Sequence, residues 1–289
     1  MTKWYLDDTE IQRGKLHSTP EIYLLGGVIT TIEDEAKICR EMEKIKEKNR
    51  VSHDCPLKYN FKSLKTTYLE SHNERDYDIL LKSSKIWRQE IIETTMKFDY
   101  RIIISVAESF SHEKKKIVEK KPDITRIIFA NGLMRFGLMV KEDSSKKYKF
   151  PQVVSDWPSK GDCSVLNSEY AMAFNQGYDS YKNQYYSGAL KGLSFGNTVH
   201  YTKTIYDPMM QFTDIILGAT KEFIECAMNK KNGSFGSDLF EAFSEKFYGY
   251  PNILQKGLIV PPQNKDLKQE LSKALTNLSL SNNKSLCYN

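Results

Sequence analysis

Three aspartates, Asp7, Asp156 and Asp214, occupy positions where a carboxylate is costly unless it is used. Asp7 follows the apolar run Trp4-Tyr5-Leu6, Asp156 closes the stretch QVVSD just before Trp157-Pro158, and Asp214 lies between MMQFT and IILGA. If the last segment is a helix, the neighbours one turn either side of Asp214 are Met210, Gln211, Leu217 and Gly218. A bare carboxylate buried among such residues costs several kcal/mol. A divalent cation shared with Asp7 and Asp156 would supply the missing counter-charge. Hard cations such as Mg²⁺ or Mn²⁺ take a few carboxylate oxygens together with waters and substrate phosphates. In phosphodiester hydrolysis they activate the attacking water and stabilise the leaving oxygen. Taken singly, each aspartate also has a bland reading: a strand end, a turn, a satisfied helix residue. Their joint fit is what points to chemistry.

Other side chains could join them. Alternation along a strand sends Asp7 and Asp8 to opposite faces, so one of the pair is expected in the site. Lys58, Asn60 and Lys62, in KYNFK, would share one strand face and could hold a phosphate backbone, and a solvated face fits them equally well. Glu169, on a predicted helix after Asp156, is a weaker fourth ligand. The histidines form no paired metal spacing, and His17, His53 and His72 read as surface residues. The Gly26-Gly27 pair lacks the Gly-Lys-Ser/Thr of a P-loop and implies a bulge or a close backbone approach. The cysteines, five and scattered, form no CxxC pair, so neither a zinc site nor a disulfide framework is supported.

The elements that must position these residues follow from periodicity. Strands are predicted over 3–8, 22–31, 58–64, 101–107 and 152–156, with a further one within 193–205. Thr31-Ile-Glu-Asp resembles a capping box and opens a helix over 33–49. One long helix is predicted over 75–98, with Ile79, Leu80, Ile86, Trp87, Ile91 and Ile92 on its apolar face. Others span 124–140 and 164–175. Asp207-Pro208 starts a helix to about Met228, as a capping carboxylate followed by proline. Asp266 is expected to cap a short final helix, and the polar ending after Leu280 to be disordered. Strands alternating with helices make this an α/β chain with C-terminal helical additions.

A net charge of +5, with lysine clusters at 114–121 and 146–149, suits a polyanionic partner without requiring one. No apolar window is long enough to span a bilayer, no signal peptide opens the chain, and free thiols fit a reducing cytoplasm, which is the expected location.

These motifs are similar to those of the domain-of-unknown-function family numbered thirty-eight hundred. WYLDDTE followed by YLLGGVIT resembles its opening, PLKYNFKSLK its lysine-containing segment, VVSD its second aspartate strand, and MMQFTDIILGA its C-terminal glutamine-x-x-aspartate helix. The order of the four blocks agrees from the N-terminus to about Glu225. Asp8 and Thr9-Glu10 depart from the family's glutamate and Ser-Gly. The resemblance implies a ribonuclease H-like mixed central sheet with helices on both sides. It marks Asp7, Asp156 and Asp214 as metal ligands and catalytic residues, with Lys58 as an associated polar group. The expected organisation is a ribonuclease H-like domain over 1–228 with a helical extension and flexible tail over 229–289 packed on the same domain.

The expected function is a Mg²⁺- or Mn²⁺-dependent nuclease acting on RNA or DNA, and relatives resembling antiphage or mobile-element genes suggest that setting by analogy. The alternative is an inactive ribonuclease H-like protein that binds nucleic acid or acts as a scaffold. The basic excess and the altered Asp8-Thr9 motif favour it. A protein-interaction role for the helices after Phe235 is a third possibility.

Overall fold

A computed structural model of the chain describes residues 1–12, 21–111, 116–117, 121–158, 162–229 and 233–285. His17, most of the lysine cluster at 114–121, and Cys287 lie outside these residues.

Trp4, Tyr5 and Leu6 are all buried because both faces of their strand are covered, which is why the segment reads as apolar rather than alternating. This strand, β1 (Thr2–Gln12), pairs antiparallel with β2 (Glu21–Thr31), and β2 pairs antiparallel with β3 (Tyr100–Glu108). On its other side β1 runs parallel to β6 (Pro151–Asp156), which runs parallel to β7 (Val199–Thr202). β8 (Leu258–Ile259) adds a parallel edge beside β3, giving a mixed six-stranded sheet of order β7-β6-β1-β2-β3-β8. A separate two-stranded ribbon joins β4 (Phe110–Ser111) to β5 (Lys116–Ile117).

The helices divide between the two faces. Trp4, Leu6 and Val153 pack with Phe129 and Leu133 of α5 (Lys121–Glu142) and Tyr170 of α6 (Ser164–Gln176). Tyr5 and Val154 point the other way, into a core with Ile38 of α1 (Ile32–Asn49) and Phe212 and Ile216 of α7 (Pro208–Asn229). Thr31 caps α1 by accepting from the Asp34 N–H at 3.4 Å. Asp207 caps α7, its Oδ1 accepting from the N–H of Met209 at 2.9 Å and of Met210 at 3.2 Å. The same core takes Phe240 of α8 (Phe235–Phe243), and Leu267 and Leu271 of α9 (Lys265–Ser285). The C-terminal segment thus packs on α7 and lends β8 to the sheet.

Several local expectations need correction. Residues 58–64 form no strand: a loop leads to a 3-10 turn at Phe61–Leu64 and then to α2 (Lys65–Glu70). Phe61 and Leu64 are buried three residues apart, a helical spacing, and Phe61 packs among Tyr68, Tyr77 and Trp87. The single helix over 75–98 divides at Ser83 into α3 (Glu74–Lys82) and α4 (Ser84–Thr95). Leu80, Trp87, Ile91 and Ile92 are in the core, whereas Ile86, expected on the same apolar face, is 67% exposed. The strand within 193–205 shrinks to β7, and the final helix is longer than expected, helical to Ser285 with Asp266 inside its first turn. Among the described residues four cysteines are free and no helix is long and apolar enough to cross a membrane.

Candidate active site

Side-chain alternation decides which carboxylates can meet. Asp7 shares its face with Tyr5, and Asp156 with Val154, so both point toward α7. The parallel register pairs Leu6 with Ser155, which makes Asp7 and Asp156 the next neighbours along β1 and β6. β1 continues to Gln12, so Asp7 lies within the strand rather than at its end, at the level where β6 stops. Adjacent parallel strands thus bring these two together. Asp7 is buried on this face, and alternation sends Asp8, which is exposed, to the other.

Asp214 reaches the same place from α7, and Gly27 of β2 makes this possible. At Gly27, φ is +153°, and a Cβ there would stand 2.3 Å from Thr213 Cγ2 and 2.4 Å from the Tyr5 carbonyl oxygen. Only glycine lets α7 settle this closely on the sheet, so the Gly26-Gly27 pair serves a close approach; the β1–β2 register runs through it without a bulge. Gly218 does the same for the loop, since its bare surface receives the Tyr59 ring. Gln211 and Asp214, one turn apart, then hold that loop: Gln211 Oε1 accepts from the Leu57 N–H at 3.0 Å and Asp214 Oδ2 from the Tyr59 N–H at 2.6 Å. Lys58 places its Nζ 3.7 Å from Asp214 Oδ1.

Each aspartate has one oxygen committed to a backbone N–H. Asp7 Oδ1 accepts from Asp8 at 2.8 Å and Asp156 Oδ1 from Thr204 at 2.8 Å. Burial, then the nearby charges of Asp214 and Asp156, hold the Asp7 carboxyl well above the usual carboxylate range. Burial also raises Asp214, against the lowering effect of the Lys58 charge and the Tyr59 N–H. These groups therefore form one electrostatic cluster short of positive charge. Clefts open on either side of it. One of about 430 Å³ is lined by Asp7, Asp8, Ser155 and Asp156; another of about 350 Å³ is lined by Asp8, Asn60, Arg88 and Asp214.

The donor set is chemically suited to a hard divalent cation: carboxylates from three elements, Asp7 buried and Asp156 and Asp214 half-buried, with Asp7 and Asp214 raised in part by like charges nearby. It is not preassembled, since among the described residues no group of three or more His, Cys, Asp or Glu side chains stands in ligating array. The predicted residues otherwise separate. With no strand at 58–64, Lys58, Asn60 and Lys62 share no strand face; Lys58 and Asn60 stay beside Asp214, while Lys62 is exposed on the 3-10 turn and lines neither cleft. Glu169 lies on α6, on the far face of the sheet, where it accepts from the Ser180 N–H at 3.0 Å and faces Arg126 Nε at 3.8 Å. That is a structural role and not a fourth ligand. His53 pairs with Glu43 at 2.6 Å, away from the site. Arg88, which sequence reasoning missed, has no local signal: it sits on α4, and only tertiary packing brings α4 beside Asp214.

Comparisons of the chain with protein-family models, with curated proteins and with solved structures find no match. The family resemblance therefore rests on the four ordered motifs.

Proposed function

We propose that the protein is a ribonuclease H-like, Mg²⁺- or Mn²⁺-dependent nuclease that hydrolyses phosphodiester bonds of RNA or DNA. The observation that carries this reading is the convergence of Asp7, Asp156 and Asp214 on one face of the sheet, from β1, β6 and α7. The mixed sheet with helices on both faces agrees with the architecture that the motif resemblance implies. Asp7, Asp156 and Asp214 would hold the cation. When bound, it would supply activation of the attacking water and charge stabilisation at the leaving oxygen. Before binding, Lys58 partly offsets the charge of Asp214, and burial with the neighbouring carboxylates raises the proton affinity of Asp7. Gln211 and Asp214 keep the 57–59 loop against the site, so that Lys58 and Asn60 border the path of a phosphate backbone.

The test is calorimetric titration of Mn²⁺ into the wild type and Asp214→Asn, with cleavage of labelled single- and double-stranded RNA and DNA measured in parallel. Binding and cleavage that both vanish in the variant support the reading. Cleavage undiminished in Asp214→Asn refutes the role of that residue. One observation favours the alternative of nucleic-acid binding without turnover: Asp214 already has an ammonium and a backbone N–H as partners. Salt-sensitive binding with no metal-dependent cleavage would select it.

A further inference from the structure

Arg88 differs from the other cations around the site. Its guanidinium lies over two rings, 5.1 Å from the centre of Tyr59 and 5.0 Å from that of Trp87, and its buried Nε–H has no hydrogen-bond partner among the described residues. Stacking of this kind fixes the plane of the fork and lowers the entropy lost when it binds a ligand. The placement is built from the site itself. Tyr59 stacks on Arg88 with its ring, lies against Gly218, and donates its backbone N–H to Asp214. One residue therefore sets the position of both the candidate ligand and the guanidinium.

Arg88 faces a cleft of about 350 Å³, shared with Asp214, Asn60 and Lys221. Four acidic residues, Asp8, Asp214, Glu222 and Glu225, line it as well, and two of them are engaged by backbone N–H groups. Glu222 Oε2 is committed to the Gly236 N–H at 2.9 Å, and Asp214 to the Tyr59 N–H. Burial lowers the proton affinity of Arg88, and the charges of Glu222 and Asp214 nearby favour its charged form. Arg88 is half-buried, its plane is fixed by the two rings, and it lines the cleft, so the guanidinium is an oriented charged donor of the kind that meets a phosphate.

We propose that Arg88 is a substrate-binding residue, holding in this cleft a phosphodiester of the nucleic-acid strand adjacent to the one cleaved, with Asn60 and Lys221 beside it. The inference rests on the nuclease reading above and adds a specific phosphate subsite to it. Direct charge-assisted contact with a phosphate predicts that Arg88→Gln weakens binding by about tenfold and lowers the slope of log affinity against log salt by about 1. Arg88→Lys keeps the charge and the slope but loses the bidentate fork, so it falls between the two.

The experiment is fluorescence anisotropy with fluorescein-labelled single-stranded RNA and DNA oligonucleotides, over a salt series, using the wild type, Arg88→Gln and Arg88→Lys, with melting temperatures as a check on folding. Cleavage by the wild type is followed in Mn²⁺. Weaker binding and a shallower slope in Arg88→Gln, with the slope kept in Arg88→Lys, support the subsite. Wild-type-like affinity and slope in Arg88→Gln overturn it and leave the nuclease reading standing if the wild type cleaves. Failure of the wild type to bind or cleave any of these strands overturns both. Should Arg88→Gln not fold, an Arg88→Lys protein whose affinity matches the wild type overturns the bidentate contact.

Discussion

Replacing Asp7 with asparagine keeps the shape of the side chain and the oxygen that accepts the Asp8 N–H, but removes a buried charge. Asp7 and Asp156 are neighbours on adjacent strands, which lie about 4.8 Å apart. Two like charges roughly 5 Å apart repel by about 3 kcal/mol at an effective dielectric constant of about 20. The attraction of Asp7 to Lys58 offsets part of this, and the repulsion from Asp214 adds to it. Asp7→Asn is therefore expected to stabilise the metal-free protein by about 1–3 kcal/mol near neutral pH, a rise in melting temperature of roughly 3–8 °C. The pH dependence has a definite sign. Because the folded carboxyl is raised above its ordinary value of 3.8, the native state holds the Asp7 proton more tightly than the unfolded chain does. Its contribution to stability is fully present below that ordinary value and is lost as pH rises through the elevated one. The advantage of Asp7→Asn should accordingly grow from about pH 4 toward neutrality and be small at the acid end. Thermal melts of the two proteins over a pH series, without added metal, measure it. Adding Mn²⁺ should raise the melting temperature of the wild type and much less that of the variant. A variant less stable than the wild type by the same margin at every pH would refute the electrostatic account.

The remaining predictions concern how the site is assembled. Gly27→Ala places a methyl against Thr213 and the Tyr5 carbonyl at a positive φ, and should cost about 2–3 kcal/mol while weakening Mn²⁺ binding, as read by denaturant melts and calorimetry. Thr213→Ser in the same chain removes one of the two clashes and should restore part of the loss. Asp207→Ala removes the acceptor for the first N–H groups of α7 and should cost about 1 kcal/mol in urea unfolding, with no change expected in metal stoichiometry. Asp214→Asn should abolish Mn²⁺ binding, and Arg88→Gln should flatten the salt dependence of nucleic-acid binding.

Much of this molecule follows from local sequence. Apolar runs bounded by turn residues fix β1, β2, β3 and β6, and Asp207-Pro208 fixes the start of α7, because burial and capping depend on residues within a few positions of each other. The separation of Asp7 from Asp8 also follows from alternation alone. Three features needed the tertiary structure. KYNFK alternates on paper, yet with no partner strand the segment coils, and Phe61 and Leu64 take their burial from an aromatic cluster contributed by α2, α3 and α4. A helix predicted as continuous breaks at Ser83, where the Leu80 carbonyl accepts from the Trp87 indole N–H at 2.9 Å, a contact that the apolar spacing does not show. The approach of Asp214 to Asp7 depends on the absence of a side chain at Gly27, far from both helix and loop in sequence, and Arg88 is held beside the site by the Tyr59 and Trp87 rings. Local propensity specifies which residues form an element. Which face of one element meets another is decided by packing between residues far apart in the chain, and the spacing of a single sequence carries no trace of it.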